Sequence, residues 1–242
     1  MRKKNKYFKA TVLVWACIFV LSLRLVQVHT VGVCHVPGIS MEDAIWAGDR
    51  LLIYKTRNHI KHKDIIIFNH PNGDGTQLIK RCIGLPGDTV ILIEGQVHIN
   101  GKTVTTPATV KIPSTTYFLD FPHPNLEWTT NDYGPVIVPS KGLTIHLDST
   151  NVELYRHMIT FEGYNVHRQD SIIYIDGTPT NTYTFATDGY FVLGDNRGNS
   201  SDSRYWGFVA QQLIVGKPVL VYFSKDKEAK RIRWNRIGIT PK

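Results

Sequence analysis

A serine and a lysine, forty positions apart, are the residues of this chain whose types best fit nucleophilic chemistry. Ser40 stands in the loop VPGISMEDAIWAGD, residues 36–49, which contains no histidine. Lys80 stands in LIKRCIGLPGD, residues 78–88, within an apolar run. Each has an ordinary alternative role, because serines in Pro-Gly loops are usually turn residues and strand lysines usually face solvent.

Nucleophilic chemistry without histidine requires a lysine that has lost its proton. An unperturbed lysine is neutral at pH 7 in only about one molecule in two to three thousand. Burial lowers the pKa of a lysine by several units, because it disfavours the charged form. A neutral amine within hydrogen-bond reach can then activate a serine hydroxyl. This chemistry predicts that Lys80 lies on a buried strand that passes Ser40.

A third polar stretch, GDNRGNSSDSRYWGFV, occupies residues 194–209 directly after an apolar strand. Such a stretch is commonly a solvated loop rich in Asx and Ser/Thr turns. The alternative is a network of ion pairs, because bidentate Arg-carboxylate pairs can fix a loop rigidly beside a site. The residues able to form that network are Asp195, Arg197, Asp202 and Arg204.

Taken together, PGISM, IKRCIGLPGD and GDNRGNSSDSRYWG resemble the motifs of bacterial signal peptidase I, in the family's order. That family comprises membrane-anchored Ser/Lys endopeptidases that remove signal peptides from exported proteins. The closing IRWNRIG, residues 232–238, also resembles the family's C-terminal strand. The resemblance covers roughly residues 8–100 and 186–238 and is weak between them.

The resemblance implies roles for five residues, two of them catalytic and three supporting the site. Ser40 would attack the scissile carbonyl, and neutral Lys80 would take its proton, giving an acyl-enzyme. Ser200 matches the serine that hydrogen-bonds the lysine and orients it. Asp202 and Arg204 match a supporting ion pair. No cofactor is implied, and the sequence contains no His, Cys and carboxylate spacing typical of a metal site.

The resemblance also implies a shallow apolar substrate pocket that accepts small side chains at positions −1 and −3 of the cleavage site. Steric rejection of larger residues would then produce an Ala-x-Ala preference. The residues that match the pocket lining are Val36, Met41, Ile45 and Ile79.

The chain departs from the family pattern at three places. Gly38 stands where some members have a serine that donates to the oxyanion. Glu42-Asp43-Ala44 follows Ser-Met, where the family commonly has proline at the second position. Gly198 replaces an acid in GDNRDNS. None of these changes alters Ser40, Lys80 or Ser200.

The net charge of +8 is concentrated at the two ends of the chain. Residues 1–9 carry +5 and residues 225–242 carry a further +5, which leaves −2 for the residues between them. The body therefore has no basic groove, and the charge distribution predicts no nucleic-acid partner.

An apolar run, ATVLVWACIFVLSLRLVQV, occupies residues 10–28 after the basic start. It is close to the roughly 20 residues that span a bilayer, so it predicts a transmembrane anchor over 10–29. The lysines before it should stay in the cytoplasm, which places the catalytic region on the outer, periplasmic face of the bacterial inner membrane. A cleaved signal peptide is the alternative interpretation.

Beyond the anchor, the pattern predicts an all-β fold of mainly antiparallel sheets. Short β-branched runs begin near residues 49, 64, 76, 88 and 190, and residues 150–163 are the best helix candidate. Two hairpins, VHINGKTV and IYIDGTPT, share an Asn-Gly or Asp-Gly turn. We expect a catalytic core over 30–101 and 186–242, with an inserted β subdomain over 102–185.

Other interpretations remain open from sequence alone. A specialised peptidase that matures conjugation or pilus proteins would share the Ser/Lys pair but recognise few substrates. A non-enzymatic, membrane-tethered β module is the third alternative. The expected partners are signal-peptide-bearing preproteins, the lipid bilayer and the neighbouring export machinery, and the oligomeric state stays open. Cys34 and Cys82 are expected to be buried free thiols, and the alternative is a disulfide, which requires that their strands be adjacent.

Overall fold

The structure is a computed structural model that describes Trp15, residues 30–226 and residues 228–242. The expected cytoplasmic segment 1–9 lies outside these residues, and so does the expected anchor 10–29 apart from Trp15. Within the described ranges, no helix combines the length and the apolar character needed to cross a membrane.

The largest element of the fold is a seven-stranded antiparallel sheet, in agreement with the predicted β class. Strands are numbered in chain order. Across the sheet they are β1 (Val31–His35), β2 (Asp49–Tyr54), β16 (Ile214–Ser224), β3 (Ile65–Asn69), β4 (Gln77–Gly84), β14 (Gly189–Leu193) and β15 (Val209–Ala210).

Three smaller antiparallel sheets contain the other strands of the described residues. The four-stranded sheet has the order β7 (Lys102–Thr103), β6 (Gln96–Ile99), β5 (Thr89–Ile93) and β8 (Tyr133–Ile137). The three-stranded sheet contains β10 (Val166–Gln169), β11 (Ile172–Ile175) and β12 (Thr178–Thr180). The two-stranded sheet pairs β13 (Thr182–Thr184) with β9 (Thr144–His146).

The predicted helix is confirmed as α1, Val152–Phe161. It buries Leu154 and Met158 in a cluster that also contains Phe191 of β14. A second helix, α2, spans only Ser203–Trp206. Single 3-10 turns occupy Pro124–Leu126, Arg197–Asn199, Gln211–Leu213 and Trp234–Arg236.

Both predicted hairpins are confirmed. Strands β6 and β7 join through Asn100-Gly101, with φ of +52° and +77°. Strands β11 and β12 join through Asp176-Gly177, with φ of +47° and +77°. Two consecutive positive φ values characterise the tight turn that matches the twist of the strands, which explains the Asn-Gly and Asp-Gly pairs.

The expected boundary of the insertion at residue 102 falls inside a sheet. Strands β5 and β6 precede it, yet they belong to the four-stranded sheet that β8 completes. Val90 of β5, Val136 of β8 and Phe191 of β14 lie in one hydrophobic cluster. The core therefore continues without interruption from the large sheet into this smaller one.

The C-terminal strand expected over 232–238 is wrong in its extent. Only Ile232 forms a bridge, with Lys225, and the chain then makes the 3-10 turn at Trp234–Arg236. The physical reason is an ion pair, because the Arg236 guanidinium turns inward and lies 2.6 Å from Asp49. The sequence analysis did not predict β16, which is the longest strand of the described residues.

The two cysteines of the described residues are free, as predicted. Cys82 is buried, and burial raises the pKa of its thiol far above the ordinary value. Cys34 is only half-buried, because its strand β1 lies at the edge of the large sheet.

Candidate active site

Ser40 and Lys80 meet at an interior strand of the large sheet. Lys80 belongs to β4, which lies between β3 and β14 and is buried from Ile79 to Gly84. Ser40 lies in the turn after β1, and its Oγ is 2.6 Å from Lys80 Nζ. Only 3% of Lys80 is exposed. The burial and the contact that nucleophilic chemistry requires are therefore both present.

The environment of Lys80 makes its neutral form far more accessible than that of an ordinary lysine. Burial lowers the pKa of Lys80 from 10.5 to about 8; the Asp202 carboxylate acts against this shift, and the Arg204 charge reinforces it. At pH 7 the neutral fraction is then roughly one in ten, against one in thousands for an ordinary lysine. Lys80 can therefore accept a proton near neutral pH.

Asp202 and Arg204 form a fully buried ion pair behind the lysine. The guanidinium Nε and Nη2 lie 2.8 and 2.9 Å from the two carboxylate oxygens. Burial opposes ionisation of Asp202, but the Arg204 charge and hydrogen bonds hold its pKa below the ordinary value. Asp202 also accepts a hydrogen bond from the Gly194 N–H at 3.0 Å. The pair thus fixes the polar loop over residues 194–202.

A second buried ion pair was missed by the sequence analysis. Asp195 does not pair with Arg197 but with Arg81, next to Lys80, through contacts of 2.7 and 2.5 Å. Arg197 instead donates to the Gly95 carbonyl at 3.1 Å. The available signal was an arginine adjacent to Lys80 in an apolar strand, since a buried arginine requires an acid nearby.

Asn196 also was not identified from the sequence. Its backbone N–H donates to the Ser40 carbonyl at 3.0 Å, and its side-chain amide donates to the Ile39 carbonyl at 3.3 Å. The 194–202 loop therefore holds the backbone of the loop that contains Ser40. Gly194 permits this approach, because a Cβ there would lie 2.6 Å from the Ser40 carbonyl oxygen.

Ser200 is buried beside this contact, but the hydrogen bond to Lys80 is absent. A Cβ on Gly194 would lie only 2.2 Å from Ser200 Oγ, which puts the hydroxyl at the same crowded junction. Among the described residues, however, Ser200 Oγ has no hydrogen-bond partner. The hydroxyl is thus near the pair, and its orienting role stays a prediction.

A small cleft of about 90 Å³ opens beside the Ser40 and Lys80 pair. It lies between residues 35–38 on one side and residues 77–79 on the other, so an extended peptide could pass between two stretches of backbone. Val36, Met41 and Ile79 line it, and their role in substrate binding stays a prediction. Ile45 does not line it, because this side chain is completely buried in the cluster beneath.

Comparison with known proteins identifies the family. The family model described as "Signal peptidase, peptidase S26" matches residues 5–223. The chain belongs to this family. It is therefore a peptidase of the signal peptidase class.

Individual signal peptidases resemble the chain over nearly all of its length. The "Signal peptidase I" of Buchnera aphidicola subsp. Baizongia pistaciae is 26% identical, and the match covers 98% of this chain and 87% of that protein. The "Signal peptidase I S" of Bacillus subtilis is 27% identical, with 95% and 99% covered. The crystal structure of a signal peptidase I from Enterococcus faecalis matches with 23% identity and a TM-score of 0.37, covering 66% of this chain and 97% of that one.

The backbone around Ser40 leaves one donor free for a signal peptidase reaction. Within residues 30–226 and 228–242, the Ser40 N–H has no hydrogen-bond partner. A Cβ placed on Gly38 would meet no atom within 4 Å, so the space beside the nucleophile is open there. A free backbone donor and open space beside it are what an oxyanion formed at Ser40 would require.

No metal-ligand cluster is found in the part of the chain that the structure describes, where no three His, Cys, Asp or Glu side chains converge suitably. The polar groups at the site are the Ser40 hydroxyl, the Lys80 amine and the ion pairs that fix them. This arrangement fits a hydroxyl nucleophile with an amine base.

Proposed function

We propose that this protein is a membrane-bound serine endopeptidase that removes N-terminal signal peptides from exported preproteins. Ser40 is the nucleophile, and neutral Lys80 is the general base. The observation that carries the proposal is the 2.6 Å approach of Lys80 Nζ to Ser40 Oγ in a buried site. Its family membership supports the same chemistry.

The first half of the reaction forms an acyl-enzyme. Lys80 takes the proton as Ser40 Oγ bonds to the scissile carbonyl carbon, and the free Ser40 N–H donates to the oxyanion. When the tetrahedral intermediate collapses, the C–N bond breaks and the Lys80 ammonium protonates the departing amine. The mature protein leaves, and the signal peptide stays esterified to Ser40.

The second half hydrolyses that ester. Lys80 is neutral again and takes a proton from a water molecule, which attacks the acyl carbon. Collapse of the second intermediate releases the signal peptide and returns the proton to Ser40. Asp202 and Arg204 hold the loop that positions Ser40, and Ser200, which is buried beside Gly194, is the residue proposed to orient Lys80.

The cleft supports a preference for small residues at −1 and −3. The cleft is small, about 90 Å³, and Val36, Met41 and Ile79 contribute an apolar part of its lining, which fits small uncharged side chains. Large residues would be rejected by steric clash, which is the basis of an Ala-x-Ala preference.

The expected anchor over 10–29 would hold the enzyme at the membrane that carries its substrates. Confinement of both partners to one surface raises their effective concentration. In this proposal the catalytic domain lies on the periplasmic face, near the export machinery.

Cleavage of a preprotein in lipid vesicles tests the proposal. The full chain and a preprotein with an Ala-x-Ala site are reconstituted together, and mature product is followed by mass spectrometry. We expect loss of processing in Ser40→Ala and Lys80→Ala, and mature protein with the N-terminus expected for cleavage after the −1 residue. Retained processing in Lys80→Ala would refute the proposed pair. Failure on generic preproteins, with cleavage of a pilus-type substrate only, would restrict the function to a specialised maturation peptidase.

A further inference from the structure

Residues 109–113, TVKIP, cross the 194–202 loop and are called the strap below. The Lys111 N–H donates to the Asp195 carbonyl at 2.8 Å, and the Arg197 N–H donates to the Lys111 carbonyl at 3.1 Å. Thr109 Oγ1 donates to the Asp195 carboxylate at 2.7 Å. A segment of the expected insertion is thus bonded directly to the loop that holds Ser40.

The strap fits closely because residue 198 is glycine. A Cβ on Gly198 would lie 3.2 Å from Pro113 Cβ and 3.3 Å from Pro113 Cγ, closer than side chains normally pack. The departure of this chain from GDNRDNS therefore coincides with the place where the strap passes over the loop.

The side chain of Lys111 also connects the strap to the loop that contains Ser40. Lys111 Nζ lies 3.3 Å from the Glu42 carboxylate and 3.1 Å from the Asp43 carboxylate. These acids stand two and three residues after Ser40, where the family commonly has a proline nearby. The second departure from the family pattern thus supplies the partners of the strap lysine.

Asp43 needs such support, because its backbone is strained. Its φ is +79°, a left-handed conformation that is unfavourable for a non-glycine residue. Such conformations persist when surrounding contacts hold them. The turn from Met41 to Ile45, closed by a 2.7 Å backbone hydrogen bond, connects this residue to the nucleophile.

We propose that the strap positions Ser40 relative to Lys80, and that Lys111 is a positioning residue for the reaction. Asn196 holds the Ser40 carbonyl on one side, and Lys111 holds the Glu42-Asp43 turn on the other. Lys111 and Asn196 themselves form a parallel β-bridge, so the two residues that make these contacts are neighbours. The inference rests on the proposed function, since it gives Lys111 a task only if Ser40 is the nucleophile.

The expected effect is modest because the lysine is half-exposed. Lys111 exposes 47% of its side chain, and exposed ion pairs are weakened by water and salt. We expect Lys111→Met to lower kcat about two- to five-fold, with KM unchanged, because the variant alters the placement of Ser40 and leaves the cleft intact.

The experiment compares charge removal at two lysines of the same insertion. The full chain in vesicles is assayed as Lys111→Met, as Lys111→Arg and as Lys102→Met, the last being a matched exposed lysine in β7. We expect the kcat loss in Lys111→Met, substantial rescue in Lys111→Arg and no loss in Lys102→Met. In a Glu42→Gln/Asp43→Asn background, Lys111→Met should cause no further loss, because the partners are already neutral.

Salt gives an independent readout. At about 1 M salt the Debye length falls to about 3 Å, so wild type and Lys111→Met should converge in kcat. Equal kcat values for Lys111→Met and Lys102→Met at low salt would overturn the inference, as would a change confined to KM. Ser40→Ala is assayed in parallel. If it stays active, the proposed function itself fails; if it is inactive while Lys111→Met behaves as the control, only the strap inference fails.

Discussion

At the scale of single residues, the proposed mechanism depends on one backbone donor at the oxyanion. The Ser40 N–H is free, and Gly38 contributes no side chain. In mutated proteases, one lost oxyanion donor costs on the order of a hundred-fold in kcat. A side chain placed at position 38 could therefore add a second donor to the oxyanion.

Gly38→Ser is expected to increase kcat. A Cβ at this position meets no atom within 4 Å, so the hydroxyl can be accommodated and can turn toward the oxyanion. A well-aligned donor would raise kcat by up to about a hundred-fold. Gly38→Ala is the matched control, because it adds the same Cβ without a donor. Equal kcat values for the two variants would show that the added hydroxyl does not reach the oxyanion.

Asp202→Ala is expected to destabilise the fold. Arg204 is fully buried, and the other hydrogen bonds of its guanidinium go to the uncharged carbonyls of Thr130 and Arg197. A buried charge left without its partner typically costs about 3–5 kcal/mol in the free energy of unfolding. Urea unfolding of the full chain measures this loss. The control is Asp120→Ala at an exposed acid, whose free energy of unfolding should stay within about 0.5 kcal/mol of wild type. An equally small change for Asp202→Ala would contradict the structural role of the pair.

At the scale of elements, the sequence patterns predicted hairpins, a helix and strands, which depend on neighbouring residues. They did not predict contacts between residues far apart in the sequence. The hairpins, the helix α1 and strand β4 follow from short periodic runs and turn residues. The pairing of Arg81 with Asp195, 114 residues away, depends on which strands become neighbours. Ile45 was expected in the cleft because it matches a pocket position of the family, but the turn at Met41 directs it into the core.

The contact between strap and loop gives an element-scale prediction. Gly198→Val should displace Pro113, because the added side chain enters space that the proline fills. Overpacking of this kind typically costs about 1–3 kcal/mol, and we expect kcat to fall with it. Pro113→Gly in the same chain should restore part of the lost kcat by removing the clash. If Gly198→Val retains full kcat, the strap does not influence the position of Ser40.

At the scale of the whole molecule, the proposal assigns membrane attraction to the two basic ends of the chain and catalysis to the residues between them. The net charge of residues 10–224 is −2, while both ends are strongly basic. Basic segments beside a membrane are attracted to its anionic surface. The charge distribution thus fits a catalytic body held at a membrane rather than a protein that binds nucleic acid.

Removal of residues 1–29 tests the contribution of the expected anchor. Every residue of the site lies after residue 29, so the truncated chain keeps all of them. We expect kcat/KM on a soluble peptide to stay within about two-fold, while processing of a preprotein in vesicles falls ten-fold or more, on the order of typical effective-concentration gains. Equal losses on both substrates would assign the N-terminal segment a structural role instead.

The pH dependence of acylation tests the central claim most directly, namely that Lys80 acts as a neutral base. Single-turnover acylation by the full chain is measured from about pH 6 to about pH 10, the range in which the proposed base titrates. Protonated Lys80 cannot accept the Ser40 proton, so the rate should rise with pH through a single limb near 8 and then level off. A limb near the ordinary lysine value of 10.5, or a rate that does not change with pH, would contradict the account.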